Sequence, residues 1–248
     1  MKNITFVNLI LFSFIIFYSF SCTMFSVESK DVEVKNNITY LRGTDKIFKG
    51  KVLDYYPDGK ESVLYTYIDG KKNGESKAWY NNGQLEYIGH YTNEEKNGAF
   101  LGWFIDGKKG VERHYENGII EGTWKIWHEN GKLKESGKYK NGIRDSIWNW
   151  YYENGKKWIE INFDNGLESG LWQAWYDNGQ KREEINYING KKNGLWQEWN
   201  KSGILISKGL YELGIESETW FGWYDSGKPK YEKFFKNGDI KFSKKWPE

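Results

Sequence analysis

Glycine recurs at Gly59, Gly83, Gly107, Gly131, Gly155, Gly179, Gly203 and Gly227, a constant spacing of 24 residues. The residue before each is Asp58, Asn82, Asp106, Asn130, Asn154, Asn178, Ser202 or Ser226. Asn-Gly and Asp-Gly are the strongest short hairpin signals, because both central residues of a type I′ turn need positive φ. A turn that returns in strict register makes each unit a structural repeat. Such a unit cannot bury its apolar side alone and must do so against its neighbours.

Other columns keep the same period. Four residues before the turn glycine stand Trp79, Trp103, Trp127, Trp175, Trp199 and Trp223, with Tyr55 and Tyr151 in the remaining units. Eight residues after it the position is always Tyr or Phe, from Tyr67 to Phe235. A second turn follows eleven residues after, as at Gly118, Gly142 and Gly166, and a third glycine column holds Gly74, Gly122 and Gly170, with Ser146 and Glu218 as exceptions. Each unit therefore supplies two short strands and two turns. The expected fold is all-β, an elongated single-layer repeat sheet of tandem β-hairpins with about 16 strands, roughly 75 Å long at one strand spacing each. The repeats occupy 46–241. Residues 22–45 read as a polar tether with a capping hairpin around Ile38 to Phe48, and in the 242–248 tail Lys244, Lys245 and Pro247 would blunt an exposed sheet edge.

The chain is 19% aromatic, with 14 Trp, which excludes a disordered polymer. Its mean hydropathy is nevertheless −0.80, so much aromatic surface must coexist with little shielded interior. The formal charge is +2 with both signs interspersed, which argues against nucleic acid as a partner. The single cysteine, Cys22, excludes an intramolecular disulfide. It follows a basic start at Lys2, an apolar run from Phe6 to Phe20 and the small Ser21, the layout of a secretory signal over 1–21. Ser19-Phe20-Ser21-Cys22 resembles a bacterial lipobox, with Ser19 where Leu is usual. The expectation is an exported protein of the bacterial cell envelope, held to a membrane by a lipid on Cys22.

The run Gly170-Leu171-Trp172-Gln173-Ala174-Trp175-Tyr176-Asp177-Asn178-Gly179, followed by Tyr187-Ile188-Asn189-Gly190, resembles the MORN-repeat variant of bacterial proteins, including the YwqK-type family labelled as antitoxins. The resemblance extends over about residues 50–241. It implies protein–protein scaffolding or membrane-proximal positioning, and the label adds an antitoxin or immunity role against a partner toxin.

In a hairpin closed by a two-residue turn, flanking residues pair in order and paired side chains share a face. Trp124 is then expected opposite Gly137 and Trp196 opposite Gly209, each a large ring over bare backbone. Trp148 falls opposite Ile161 and Trp172 opposite Ile185. That face is the packed one. The column of Trp79, Trp103, Trp127, Trp175, Trp199 and Trp223 has the opposite parity, with Lys134, Arg182 and Lys230 opposite the tryptophan of their own units. A tryptophan stripe among cations fits a protein partner or a homodimer, or alternatively a glycan or other small ligand. A bulge that turned both aromatic columns to one core would remove it.

No chemistry is expected. His90 and His114 share a column two strand spacings apart, about 9.5 Å, too far to ligate one metal ion. His128 stands where most other units carry Tyr or Phe. Glu112, Glu160, Glu184 and Glu232 recur with the repeat, whereas a hydrolytic site needs one particular pair. The reading is a protein with no catalytic residues, metal or cofactor.

Overall fold

A computed structural model describes residues 24–248. Residues 1–21, expected to form a signal, and Cys22 lie outside the described residues. One sheet of 19 strands holds the repeats, more than the 16 counted from the hairpins. The surplus comes from short additions such as Ser26–Val27 and Glu95–Lys96, and from Asp239–Lys245, the first half of a ninth hairpin. Along the repeats each strand pairs antiparallel with the one that follows it, as Ile119–Trp127 does with Leu133–Lys140 and that strand with Ile143–Tyr151.

Two kinds of turn alternate, and the type I′ turns are not where the 24-residue column puts them. At Asn141-Gly142 both residues have positive φ, 51° and 77°, and the same holds at Asn117-Gly118, Asn165-Gly166 and Asn189-Gly190. In the 24-residue column only the glycine does, as at Gly131 with φ 82°. There the Gly131 N–H donates to the His128 carbonyl and the His128 N–H to the Lys132 carbonyl, both at 2.8 Å. That is a longer loop ending in one left-handed glycine, followed by a bulge. Trp127 faces Leu133, but Ile126 already faces Glu135. The bulge restores the expected register, so Trp124 faces Gly137, Trp148 Ile161, Trp172 Ile185 and Trp196 Gly209.

Successive turns are stapled together. The Tyr152 hydroxyl donates to the Trp175 carbonyl at 2.8 Å, and Tyr56, Tyr80 and Tyr176 make the same bond to Trp79, Trp103 and Trp199. His128 places Nε2 3.0 Å from the Tyr151 carbonyl and fills the same rung, so this nitrogen carries the proton. Asn130 uses both ends of its amide: Oδ1 accepts the Lys132 N–H at 2.9 Å and Nδ2 donates to the Glu153 carbonyl at 2.7 Å. An aspartate can do only the first. At Asp106 the rung is made by Lys108, whose ammonium reaches the Glu129 carbonyl. Tyr152→Phe should therefore lower stability by about 1 kcal/mol, the net value of one hydrogen bond, because it leaves a carbonyl without its donor. A shifted denaturant midpoint at unchanged slope is the check.

The core is the packed face of the sheet itself. Trp148 is 0% exposed, Ile161 2% and Ile185 0%. The ring over Gly137 is Trp148 rather than Trp124, and Trp220 covers Gly209 in place of Trp196. The cause is a bulge of two residues after each type I′ turn: Lys138 faces Asp145, but Ser136 faces Asn149. Ser146, with φ 60°, sits in the bulge where other units place glycine. The slip carries Trp148 back over the glycine of the preceding strand.

The N-terminal edge is closed by the chain itself. Ser26–Val27 pairs in parallel with Gly50–Tyr55, and Val32–Lys35 forms a hairpin with Ile38–Leu41. The Thr39 N–H donates to the Gly70 carbonyl and the Gly70 N–H to the Phe48 carbonyl, with Phe48 2% exposed. At the other end every residue of Asp239–Lys245 is exposed.

Candidate interaction surface

The tryptophans four before the turn lie on the face opposite Trp124 and Trp148. Phe221 and Trp223 stack at 6.1 Å there, while Trp220 stacks on Trp196 on the packed face. All six of Trp79, Trp103, Trp127, Trp175, Trp199 and Trp223 are half-buried. Their covering is a repeated device. Lys109 lies 4.9 Å over the Trp127 ring, Lys157 5.5 Å over Trp175 and Lys181 5.6 Å over Trp199. Each lysine also pairs with a carboxylate three residues on, as Lys109 does with Glu112 at 2.6 Å, Lys157 with Glu160 and Lys181 with Glu184. The Lys109 ammonium holds the Glu112 carboxyl below the usual carboxylate range.

The cations expected over these rings were Lys134, Arg182 and Lys230. Those found come from the strand on the other side, in the preceding unit. Lys134 and Lys230 instead line clefts beside Trp127 and Trp223, the former about 520 Å³ in volume and closed by Phe104, His128 and Glu153. Sequence reasoning missed the aliphatic half of this face. Ile147, Leu171 and Leu195 stand one per unit, 53%, 43% and 47% exposed, eight residues before the turn glycine and on the same strand side as the tryptophans. Their column was visible in the sequence but holds Lys51, Glu75, Ala99, Thr123 and Thr219 in the other units, which hid it.

Among the described residues no group of three or more His, Cys, Asp or Glu could hold a metal ion. One carboxylate pair does stand out on the packed face, where Glu183 and Glu198 are direct cross-strand partners. Trp196 donates its indole N–H to Glu183 at 2.6 Å. Burial, and then the facing Glu183 carboxylate, push the Glu198 carboxyl above its ordinary value. A raised carboxyl favours the folded state when protonated, and that contribution is lost as pH rises from the ordinary carboxylate value through the folded one. Glu198→Gln should accordingly raise the melting temperature at pH 7, and the gain over the native chain should shrink as pH falls below the carboxylate range. A pH series of thermal melts on both proteins reads this directly.

The MORN repeat variant family matches five segments, residues 72–93, 120–141, 144–165, 168–189 and 219–237. Each segment holds one hairpin around a turn glycine of the 24-residue column, the last beginning at Thr219, inside the strand Ile215–Trp223. The units around Gly59, Gly107 and Gly203 lie outside the matched segments but have the same strands and turns. No curated protein is similar in sequence. Among solved structures, the crystal structure of TcdB2-TccC3-Cdc42 aligns with 82% of this chain at 12% identity and a TM-score of 0.16. The chain spans about 15% of the length of that structure's matched chain.

Proposed function

We propose that this protein is a non-enzymatic, envelope-anchored scaffold that docks a partner protein along the face bearing the tryptophan column. MORN repeats generally mediate protein or membrane interactions, and five such repeats are present. The observation that carries the reading is the exposed row of Ile147, Leu171 and Leu195 beside Trp175 and Trp199. The sheet has one layer, and among the described residues no second layer covers that row. Exposed aliphatic side chains interleaved with Asn162 and Asn186, the cross-strand partners of Ile147 and Leu171, and bordered by charge match the mixed surface of a protein contact. The lysines over the tryptophan rings work against a glycan at this stripe, because they occupy the faces on which a sugar would stack. The envelope location rests on the signal pattern and Cys22.

Two measurements test this. Fractionation of cells expressing the native chain and Cys22→Ala should find the first in the membrane and the second released or unprocessed; two soluble cytoplasmic forms would end the anchoring reading. Crosslinking in intact envelopes should trap a partner through the native chain, and Leu171→Lys with Leu195→Lys should abolish the adduct without altering the melting temperature. A crosslinked homodimer alone would make the partner a second copy.

A further inference from the structure

Residues that recur in every unit build the sheet. Residues that depart from their column and meet in space point to something beyond the sheet, even where one of them, as Trp150 does beside Trp148, also packs on the core. Unit five holds two such departures. At the position three after the turn glycine the other units carry Ser, Glu, Gly, Lys, Arg or Ile, and only Trp158 is aromatic. At the position five before the turn glycine the others carry Asp, Ala, Gly, Ile or Glu, and only Trp150 is aromatic. Both line one cleft of about 260 Å³ on the packed face, together with Trp172 and Tyr187.

The cleft has a floor. Trp150 faces Ile159 across the strand, and Ile159 faces Ala174, which is 0% exposed. The small alanine beside a large tryptophan leaves a step in the sheet surface, with indole on one side. Trp158 keeps 39% of its surface exposed, unusual for a side chain that costs so much to leave in water. It rests 5.8 Å from Tyr152 at a 37° tilt. Arg144 and Glu168 also line the cleft. They occupy the same column in consecutive units, two strands and so about 9.6 Å apart along the sheet. The Arg144 side chain is 41% exposed, reaches Glu135 only at 3.8 Å and lies 5.6 Å over the Trp150 ring. Its donor edge stays free, while Trp158 is the indole that leaves a face open to a ligand.

We propose that this cleft is a binding site for a neutral saccharide ring. The charges select the class. A cationic ligand meets Arg144, an anionic one meets Glu168, and a purely apolar one strips water from both with nothing to bond them. A neutral sugar has an apolar C–H face for the Trp158 indole and hydroxyl edges that accept from the guanidinium and donate to the carboxylate. The site is separate from the protein-docking face and stands on the opposite side of the sheet.

The test is a tryptophan-fluorescence and calorimetric titration of the full-length chain in detergent with cellotriose, maltotriose and triacetylchitotriose, with tetramethylammonium as a cationic comparison. At least one trisaccharide should bind at millimolar concentrations, Trp158→Ala and Glu168→Gln should each weaken it about tenfold or more, and Trp158→Phe should keep most of the affinity. Trp175→Ala, on the other face, should leave it unchanged. Unaltered circular dichroism and melting temperature in Trp158→Ala keep lost binding distinct from lost folding. The proposal is overturned if none of the trisaccharides binds, if tetramethylammonium binds in their place, or if Trp175→Ala abolishes binding while Trp158→Ala does not.

Discussion

Trp148→Ala is expected to lower the unfolding free energy by about 3–5 kcal/mol, the range for removing a fully buried large aromatic. The residue is 0% exposed although, among the described residues, no second layer covers its sheet. Its burial comes from neighbours on all sides. Tyr139 meets the ring edge-on at 5.1 Å, Trp150 lies at 5.8 Å, Phe163 at 6.3 Å and Trp124 at 6.5 Å. The Arg144 guanidinium closes the top at 4.5 Å, and the indole N–H donates to the Lys138 carbonyl at 3.1 Å. Truncation opens a hole whose walls are held in place by the sheet's backbone bonds and cannot collapse into it. In a repeat array each unit is held only by its neighbours, so the loss should concentrate locally. Hydrogen exchange should show Ile143–Tyr151 and Lys157–Asp164 opening first, while strands at both ends of the sheet keep their protection. Ile147→Ala, one residue away but 53% exposed, is the control and should stay within about 0.5 kcal/mol of the native chain. Equal losses in the two variants would mean that the aromatic ladder is not the source of stability.

The repeat was legible because a hairpin array imposes its period on the turn residues, here glycine at 24-residue intervals with Asn, Asp or Ser before it. The face of each tryptophan was legible too, for a reason the sequence does not display. The bulge after each type I′ turn inserts two residues, as between Asp145 and Asn149 opposite Lys138 and Ser136, and an even insertion leaves side-chain alternation intact. A one-residue insertion there would have exchanged the faces. The turn types were not legible. Asn-Gly suits a type I′ turn, but also a loop in which Asn caps the Lys132 N–H with its own side chain and only glycine takes positive φ. Which strand's ring covers a glycine depends on the same bulge, so Trp148 over Gly137 could not be read from pairing rules.

The candidate surfaces divide the same way. The tryptophan column could be found as a column, but the lysines that cover it come from the preceding unit, and their reach across strands is not a spacing within one hairpin. The cleft at Trp150 and Trp158 was hidden for the opposite reason. Aligning the units by what they share gives least weight to the residues in which one unit differs, and those residues form the cleft.

The second large effect should come from adding a single methyl group. Gly137 has ordinary strand geometry, so alanine there meets no backbone strain, and the cost is steric alone. A Cβ at this position would lie 2.3 Å from Cδ2 and Cε2 of Trp148 and 2.7 Å from Cγ. Contact that close forces something to move. The ring cannot retreat, because Arg144 lies over it and Tyr139 and Phe163 hold its edges. Gly137→Ala should cost about 2–3 kcal/mol, the upper part of the range for overpacking a filled core. A double-mutant cycle separates this mechanism from a generic dislike of alanine in the strand. Alanine is a better strand residue than glycine by entropy, so in a Trp148→Ala background, where the ring is gone, Gly137→Ala should be neutral or slightly stabilising. The coupling between the two sites should therefore reach about 2 kcal/mol or more, well beyond the few tenths seen for independent positions. The same cycle at Gly209 and Trp220, where the Cβ would approach to 2.1 Å, should give coupling of the same sign. Additive losses at both pairs would show that the glycines are there for their backbone and not for the ring above them.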